Sequence, residues 1–109
     1  MRPLEYIAPS SAKEAVALLV ENGDSARPLG GGTDLIVDLK HHAGNVTMLI
    51  DVSCVPEFRG IDETDEGVRI GSMVTFGEIM VSPLCQEMMP EVVAASHTVG
   101  AVQTRNLGT

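Results

Sequence analysis

The stretch Arg27-Pro28-Leu29-Gly30-Gly31-Gly32-Thr33-Asp34-Leu35-Ile36 holds the key to the fold. Three consecutive glycines between an apolar approach and an amphipathic run leave backbone with no Cβ in the way, so something large can come within hydrogen-bonding distance of it. The run from Thr33 to Lys40 reads as a helix, with Thr33 or Asp34 placed to cap it. The turn would then present free N–H groups at the positive end of that helix, an arrangement suited to phosphate. A tight strand-to-helix connection with no ligand accounts for the same residues equally well.

Before the glycines, Leu4 to Ile7 alternates as a short strand that Pro9 closes. Ser11-Ala12-Lys13-Glu14 fits a capping box, in which hydroxyl and carboxylate satisfy N–H groups reciprocally. Ala12, Ala15, Val16 and Leu19 then form one apolar stripe, and Asn22-Gly23 stops the helix. Ala26 to Leu29 is a second short strand, whose Pro28 requires an edge or a strand end. After the glycines, Leu35, Ile36 and Leu39 line one side of a helix that His41-His42-Ala43-Gly44 terminates. Val46 to Val52 is almost continuously apolar, as befits a strand covered on both faces. Residues 1 to 53 therefore read as strand, helix, strand, helix, strand: two right-handed crossover units sharing a small three-stranded parallel layer.

From residue 54 to 109 a second, antiparallel α+β subdomain is expected to begin. Phe58 to Ile61 and Val68 to Ser72 read as strands joined by the acidic turn Asp62-Glu63-Thr64-Asp65-Glu66-Gly67. Thr75 and Glu78 form a second capping box, Ser82-Pro83 starts another helix, and Pro90-Glu91 opens one that runs to about His97. In that last helix Val92, Val93, Ala94 and Ala95 look too crowded for a surface position. Val99 to Thr109 has little periodicity and closes on what reads as the start of a turn, so the chain is expected to be the front part of a longer one.

Fifteen acidic against seven basic residues, a net charge of −8, argue against a nucleic-acid partner, since no basic patch exists to displace phosphate counterions. Three aromatics in 109 residues supply no stacking platform for bases. Cys54 and Cys85 form no CxxC pair and read as reduced, buried thiols, while adjacent His41 and His42 read as a solvated helix end, so no metal is expected. The amino terminus lacks an apolar signal region and no run approaches the length of a membrane span, which points to the cytoplasm. Ser72, Ser82, Ser96 and both cysteines lack the local signature of an activated nucleophile, so no catalytic residue is assigned.

Two nucleotide motifs can be weighed against the glycine turn. Gly30-x-Gly32, with Asp51 about twenty residues on, mimics the dinucleotide fingerprint of NAD-binding folds. Leu35 takes the place of its third glycine, however, and Asp51 is better read as a strand-end residue bonding to nearby backbone. A Walker-type site is excluded because no Gly-Lys-Ser/Thr follows the glycines.

As a whole the chain resembles the flavin-binding domain of molybdenum hydroxylases, the medium subunit of carbon monoxide, nicotinate and xanthine dehydrogenases. The resemblance runs from Tyr6-Ile7-Ala8-Pro9-Ser10 through Gly30-Gly31-Gly32-Thr33-Asp34-Leu35, Leu49-Ile50-Asp51-Val52, Pro56-Glu57-Phe58-Arg59-Gly60-Ile61 and Val68-Arg69-Ile70-Gly71-Ser72. It continues with Thr75 and Glu78-Ile79, and closes on Val99 to Thr109. Gly30 stands where alanine is more usual, and the family's Ile-Gly-Gly-Asn turn would follow the position of Thr109.

The resemblance implies a truncated α+β fold of the PCMH type, like vanillyl-alcohol oxidase, with FAD between two subdomains. It implies that Leu29, Gly30, Gly31, Gly32 and Thr33 wrap the FAD pyrophosphate through backbone N–H groups, with Asp34 and Leu35 near the cofactor. Val99, Gly100 and Thr109 would border the flavin and begin a second phosphate turn, with Gln103, Arg105 and Asn106 shaping that loop. It further implies electron transfer through FAD between the iron–sulfur clusters of one partner subunit and an external acceptor, with hydroxylation at a molybdenum cofactor on another subunit. A truncated scaffold without cofactor is the rival reading.

Overall fold

The computed structural model describes residues 3–41 and 44–109, which form two compact units, Met1–Phe58 and Arg59–Thr109. The first is a parallel sheet of β1 (Glu5–Ile7), β2 (Ala26–Leu29) and β3 (Met48–Asp51) in the order β1-β3-β2. The most apolar strand thus lies in the middle, and β2 with its Pro28 lies at an edge, where a missing N–H is tolerated. Leu49 faces Tyr6 on one side and Arg27 on the other.

Two helices complete the unit, α1 (Ala12–Asn22) and α2 (Leu35–His41). Successive residues of a strand point to opposite faces, and β3 divides its side chains accordingly. Met48 and Ile50 join Ala26 in one cluster with Ile7, Leu18, Leu19 and Val52, while Leu49 joins Leu39 and Val46 in another with Leu4, Leu29, Leu35 and Ile36. Each helix therefore covers one face, which is why this strand carries no polar alternation.

The stripe expected on α1 is rotated. Val16 is exposed, and Leu18 with Leu19 packs on the sheet beside buried Ala15. Ser11 caps α1 by accepting from the Glu14 N–H at 3.1 Å, but the Glu14 carboxylate reaches Ser10 N–H at 3.1 Å, one residue earlier than a capping box requires. The vacancy at Ala12 N–H is filled from a distance by Glu57, at 2.8 Å. The helix ends where Gly23 takes a φ of +53° and its N–H bonds Leu19 O. The α2 helix starts at Leu35, so Thr33 and Asp34 belong to the turn before it. His42 and Ala43 of the expected helix stop lie outside the described residues.

The second unit contains the antiparallel pair β4 (Ile61–Thr64) and β5 (Gly67–Ile70), then α3 (Phe76–Val81), α4 (Pro83–Met88), α5 (Pro90–His97) and α6 (Val102–Leu107). Its hairpin corrects the sequence reading. Phe58 belongs to a short 3-10 turn, and Asp62, Glu63 and Thr64 are strand residues, leaving Asp65-Glu66 as the turn. An acidic strand is stable here because its polar side chains are exposed and Asp62 pairs with the opposite Arg69 at 3.0 Å. Only Ile61 and Ile70 turn toward the core of Val74, Ile79 and Cys85, which Val92 and Val93 close.

Ala94 and Ala95 are exposed, so α5 is a one-sided surface helix and not the buried one its composition indicated. Cys54 is exposed as well; only Cys85 is the buried thiol that was expected of both. The capping box at Thr75 and Glu78 is complete, with the hydroxyl accepting Glu78 N–H at 3.1 Å and the carboxylate accepting Thr75 N–H at 3.3 Å. Thr75→Ala is expected to cost about 1 kcal/mol of unfolding free energy in urea denaturation.

Candidate functional site

The site grows out of the end of β2. Leu29 is the last residue paired in the sheet, opposite Asp51, and its carbonyl accepts the Val52 N–H at 3.0 Å. The chain then leaves the sheet through Gly30, Gly31 and Gly32, all half-buried. Gly32 has a φ of +77°, and a Cβ there would stand 3.1 Å from Ile36 Cγ1 and 3.3 Å from Leu29 Cδ1. Conformation and space both demand glycine at this position. The Gly32 carbonyl receives Ile36 N–H at 3.2 Å and that of Asp34 receives Asp38 N–H at 2.9 Å, which fixes the turn to the first coil of α2. Among the described residues, no backbone carbonyl accepts from the N–H groups of Gly30, Gly31, Gly32 or Thr33.

Thr33, Asp34 and Leu35 also line an open cleft of about 610 Å³, together with Arg27, Val37, Asp38 and His41. The first seven expected site residues thus run consecutively from the end of β2 at Leu29, through the turn, to the first residue of α2 at Leu35. Gly30, Gly31 and Gly32 contribute backbone to it, and Leu29, packed in the α2-side cluster, anchors it.

Beside the turn, the half-buried Asp51 accepts from Ser53 N–H at 2.9 Å and from the Tyr6 hydroxyl. Its role as a strand-end residue bonded to nearby backbone is therefore observed. Burial works against the charged carboxylate, but the hydrogen bonds from Ser53 and Tyr6 outweigh it and hold Asp51 below its ordinary 3.8. The Tyr6 phenol is pushed up, first by its bond to Asp51 and then by burial and the negative charges of Asp51 and Cys54. A depressed carboxylate stabilises the fold above its unfolded pKa, and that contribution is lost as pH falls through the folded value. Tyr6→Phe should therefore raise the Asp51 titration midpoint in NMR and be less stable than the parent at neutral pH, the difference vanishing in acid.

The other expected residues lie on the second unit, on either side of α6. Val99 is half-buried and its N–H bonds Ser96 O at 3.3 Å, while Gly100 and Thr109 are exposed. A Cβ on Gly100 would meet nothing within 4 Å, so nothing in this unit requires glycine there. Sequence reading missed the helix between them and the glycine that seats it. Gly108 is buried, its N–H bonds Thr104 O at 2.7 Å, and its carbonyl accepts Phe76 N–H at 3.0 Å. The signal was the Leu107-Gly108 step, a glycine closing a short run with polar Gln103, Arg105 and Asn106.

Among the described residues no cluster of three or more His, Cys, Asp or Glu side chains could hold a metal ion. No helix among them is long and apolar enough to cross a membrane.

Comparison with known proteins agrees with this architecture. A family model described as the FAD binding domain in molybdopterin dehydrogenase matches residues 2–109. The carbon monoxide dehydrogenase medium chain of Hydrogenophaga pseudoflava is 39% identical over 105 residues, covering 96% of this chain and 37% of that one. The xanthine dehydrogenase FAD-binding subunit of Escherichia coli O157:H7 is 32% identical over 105 residues, covering 95% and 36%. Among solved structures, carbon monoxide dehydrogenase from H. pseudoflava matches with a TM-score of 0.94 at 38% identity, over 99% of this chain and 38% of that one. Quinoline 2-oxidoreductase from Pseudomonas putida 86 matches with a TM-score of 0.91 at 26% identity, over 99% and 38%. The chain spans 36 to 37% of the length of these two curated relatives.

Proposed function

The chain belongs to the family of FAD-binding domains in molybdopterin dehydrogenases, and from that premise we propose that its glycine turn holds the FAD pyrophosphate. The N–H groups of Gly30, Gly31, Gly32 and Thr33 are the donors, and Leu29, Asp34 and Leu35 flank the cofactor. The observation that carries this reading is the row of N–H groups that no backbone carbonyl among the described residues accepts, on a turn whose Gly32 position requires glycine. Such a turn binds phosphate through backbone alone, which accounts for the absence of a Walker lysine.

In the same reading Val99, Gly100 and Thr109 border the flavin, and residues 1–53 and 54–109 are the first subdomain and the start of the second. Bound FAD supplies the redox chemistry, accepting electrons and passing them on; the chain holds and orients it. The iron–sulfur and molybdenum-cofactor subunits are the partners that this role requires. Held by these residues, FAD would supply the route for electrons between those clusters and an external acceptor.

The test is the visible absorption spectrum of the purified chain after incubation with FAD and removal of the excess, repeated on a subunit of the relatives' length carrying this sequence. A flavin band retained by the longer subunit is the expected result. A well-folded longer subunit with an empty spectrum would overturn the proposal and favour a scaffold without cofactor.

A further inference from the structure

Resting on the reading that Val99 to Thr109 borders the cofactor, we propose that Phe76, on the first turn of α3, is a positioning residue for that segment. It acts through Gly108, the buried residue immediately before Thr109. Two contacts from Phe76 converge on this glycine. The Phe76 N–H, one of the donors that a helix start leaves without an intrahelical partner, bonds the Gly108 carbonyl at 3.0 Å. The Phe76 ring fills the space where a side chain would stand, with Cε2 at 3.0 Å and Cδ2 at 3.1 Å from a Cβ built on Gly108. From the other side the Thr104 carbonyl lies 3.0 Å from the same point and accepts Gly108 N–H at 2.7 Å.

Gly108 is therefore held between the edge of an aromatic ring and the last turn of α6, with both of its backbone groups bonded. Its φ of −65° is open to any residue, so glycine is required here for space and not for conformation. With the Gly108 carbonyl held by Phe76 N–H, the peptide plane that leads to the next residue is oriented as well. That next residue is Thr109. The capping box of Thr75 and Glu78 in turn holds the first coil of α3 on which Phe76 sits. The α3 start thus serves as a seat that sets where the second phosphate turn begins.

The test uses FAD dissociation constants, measured by flavin fluorescence, on a subunit of the relatives' length carrying this sequence, with thermal unfolding of each variant alongside. Gly108→Ala should weaken FAD about tenfold by forcing ring and carbonyl apart. Adding Phe76→Leu, which shrinks the ring but leaves the backbone N–H, should recover most of that loss. Ser82→Ala, which removes the hydroxyl that caps α4 by accepting Cys85 N–H at 3.2 Å, serves as the control for lost stability alone and should leave FAD affinity within about threefold of the parent. Unchanged affinity in Gly108→Ala, no recovery in the double variant, or an equal loss in Ser82→Ala would each overturn the proposal. Thr109→Glu separates the two layers of the argument. If an added carboxylate there leaves FAD affinity unchanged, the segment does not border the phosphates and the underlying reading fails with the proposal. If it weakens FAD while Gly108→Ala does not, only the seat at Phe76 fails.

Discussion

A Gly32→Val subunit is expected to purify without flavin. Valine must adopt the φ of +77° that glycine holds, a left-handed conformation costing an L-residue about 1–2 kcal/mol and more for a β-branched one. Its Cβ would stand 3.1 Å from Ile36 Cγ1 and 3.3 Å from Leu29 Cδ1, so the turn must open at Gly32. Both effects fall on backbone that is the proposed ligand, so affinity should drop by about a hundredfold or more. The measurement is the flavin-to-protein ratio of the purified subunit. Gly23→Val is the matching control, since Gly23 also has a positive φ, of +53°, but a Cβ there meets nothing within 4 Å. It carries the backbone strain without touching the site and should retain flavin. Full flavin content in Gly32→Val would remove the glycine turn from the binding site.

The second large effect is on folding. Ile50 is fully buried at the centre of the middle strand, and Ile50→Ala should cost about 2–5 kcal/mol through lost transfer energy and the cavity left behind. In a domain whose whole stability is about 5–15 kcal/mol, that is enough to leave a large unfolded fraction. The expected readout is a much lower denaturation midpoint with an unchanged slope in urea. Because Ile50 precedes Asp51, which pairs with Leu29, loosening β3 should also loosen the anchor of the glycine turn. A cost below about 1 kcal/mol would mean that the core does not close around this residue.

Local signals were legible wherever chemistry acts within a few residues. The Ser11 cap of α1, the capping box at Thr75 and Glu78, Pro28 at an edge, Gly23 at a helix end and the apolar run of β3 all follow from nearest-neighbour physics, and the glycine turn with its positive φ at Gly32 stands where its composition places it. What the sequence hides depends on distant partners. The rotation of α1 that exposes Val16 is set by which residues of the sheet it meets. The strand at Asp62 to Thr64 looks like a turn until Arg69 is placed opposite it. The helix α6 has too short a run to show a period, and Phe76, which supports it through Gly108, lies 26 positions before its first residue. For the site, the glycines announced backbone chemistry, whereas FAD as the ligand came only from the resemblance of the chain as a whole.

The two thiols give the molecule a pair of built-in reporters. Cys54 is exposed on the first unit and Cys85 is fully buried in the second. A thiol-specific reagent should therefore modify one site at once in the native protein and the other only when the second unit opens. The slow phase then measures how often that core breathes, since a buried thiol reacts only through local or global opening. Run with and without FAD, the same labelling would reveal whether cofactor slows the breathing of the unit that carries α6.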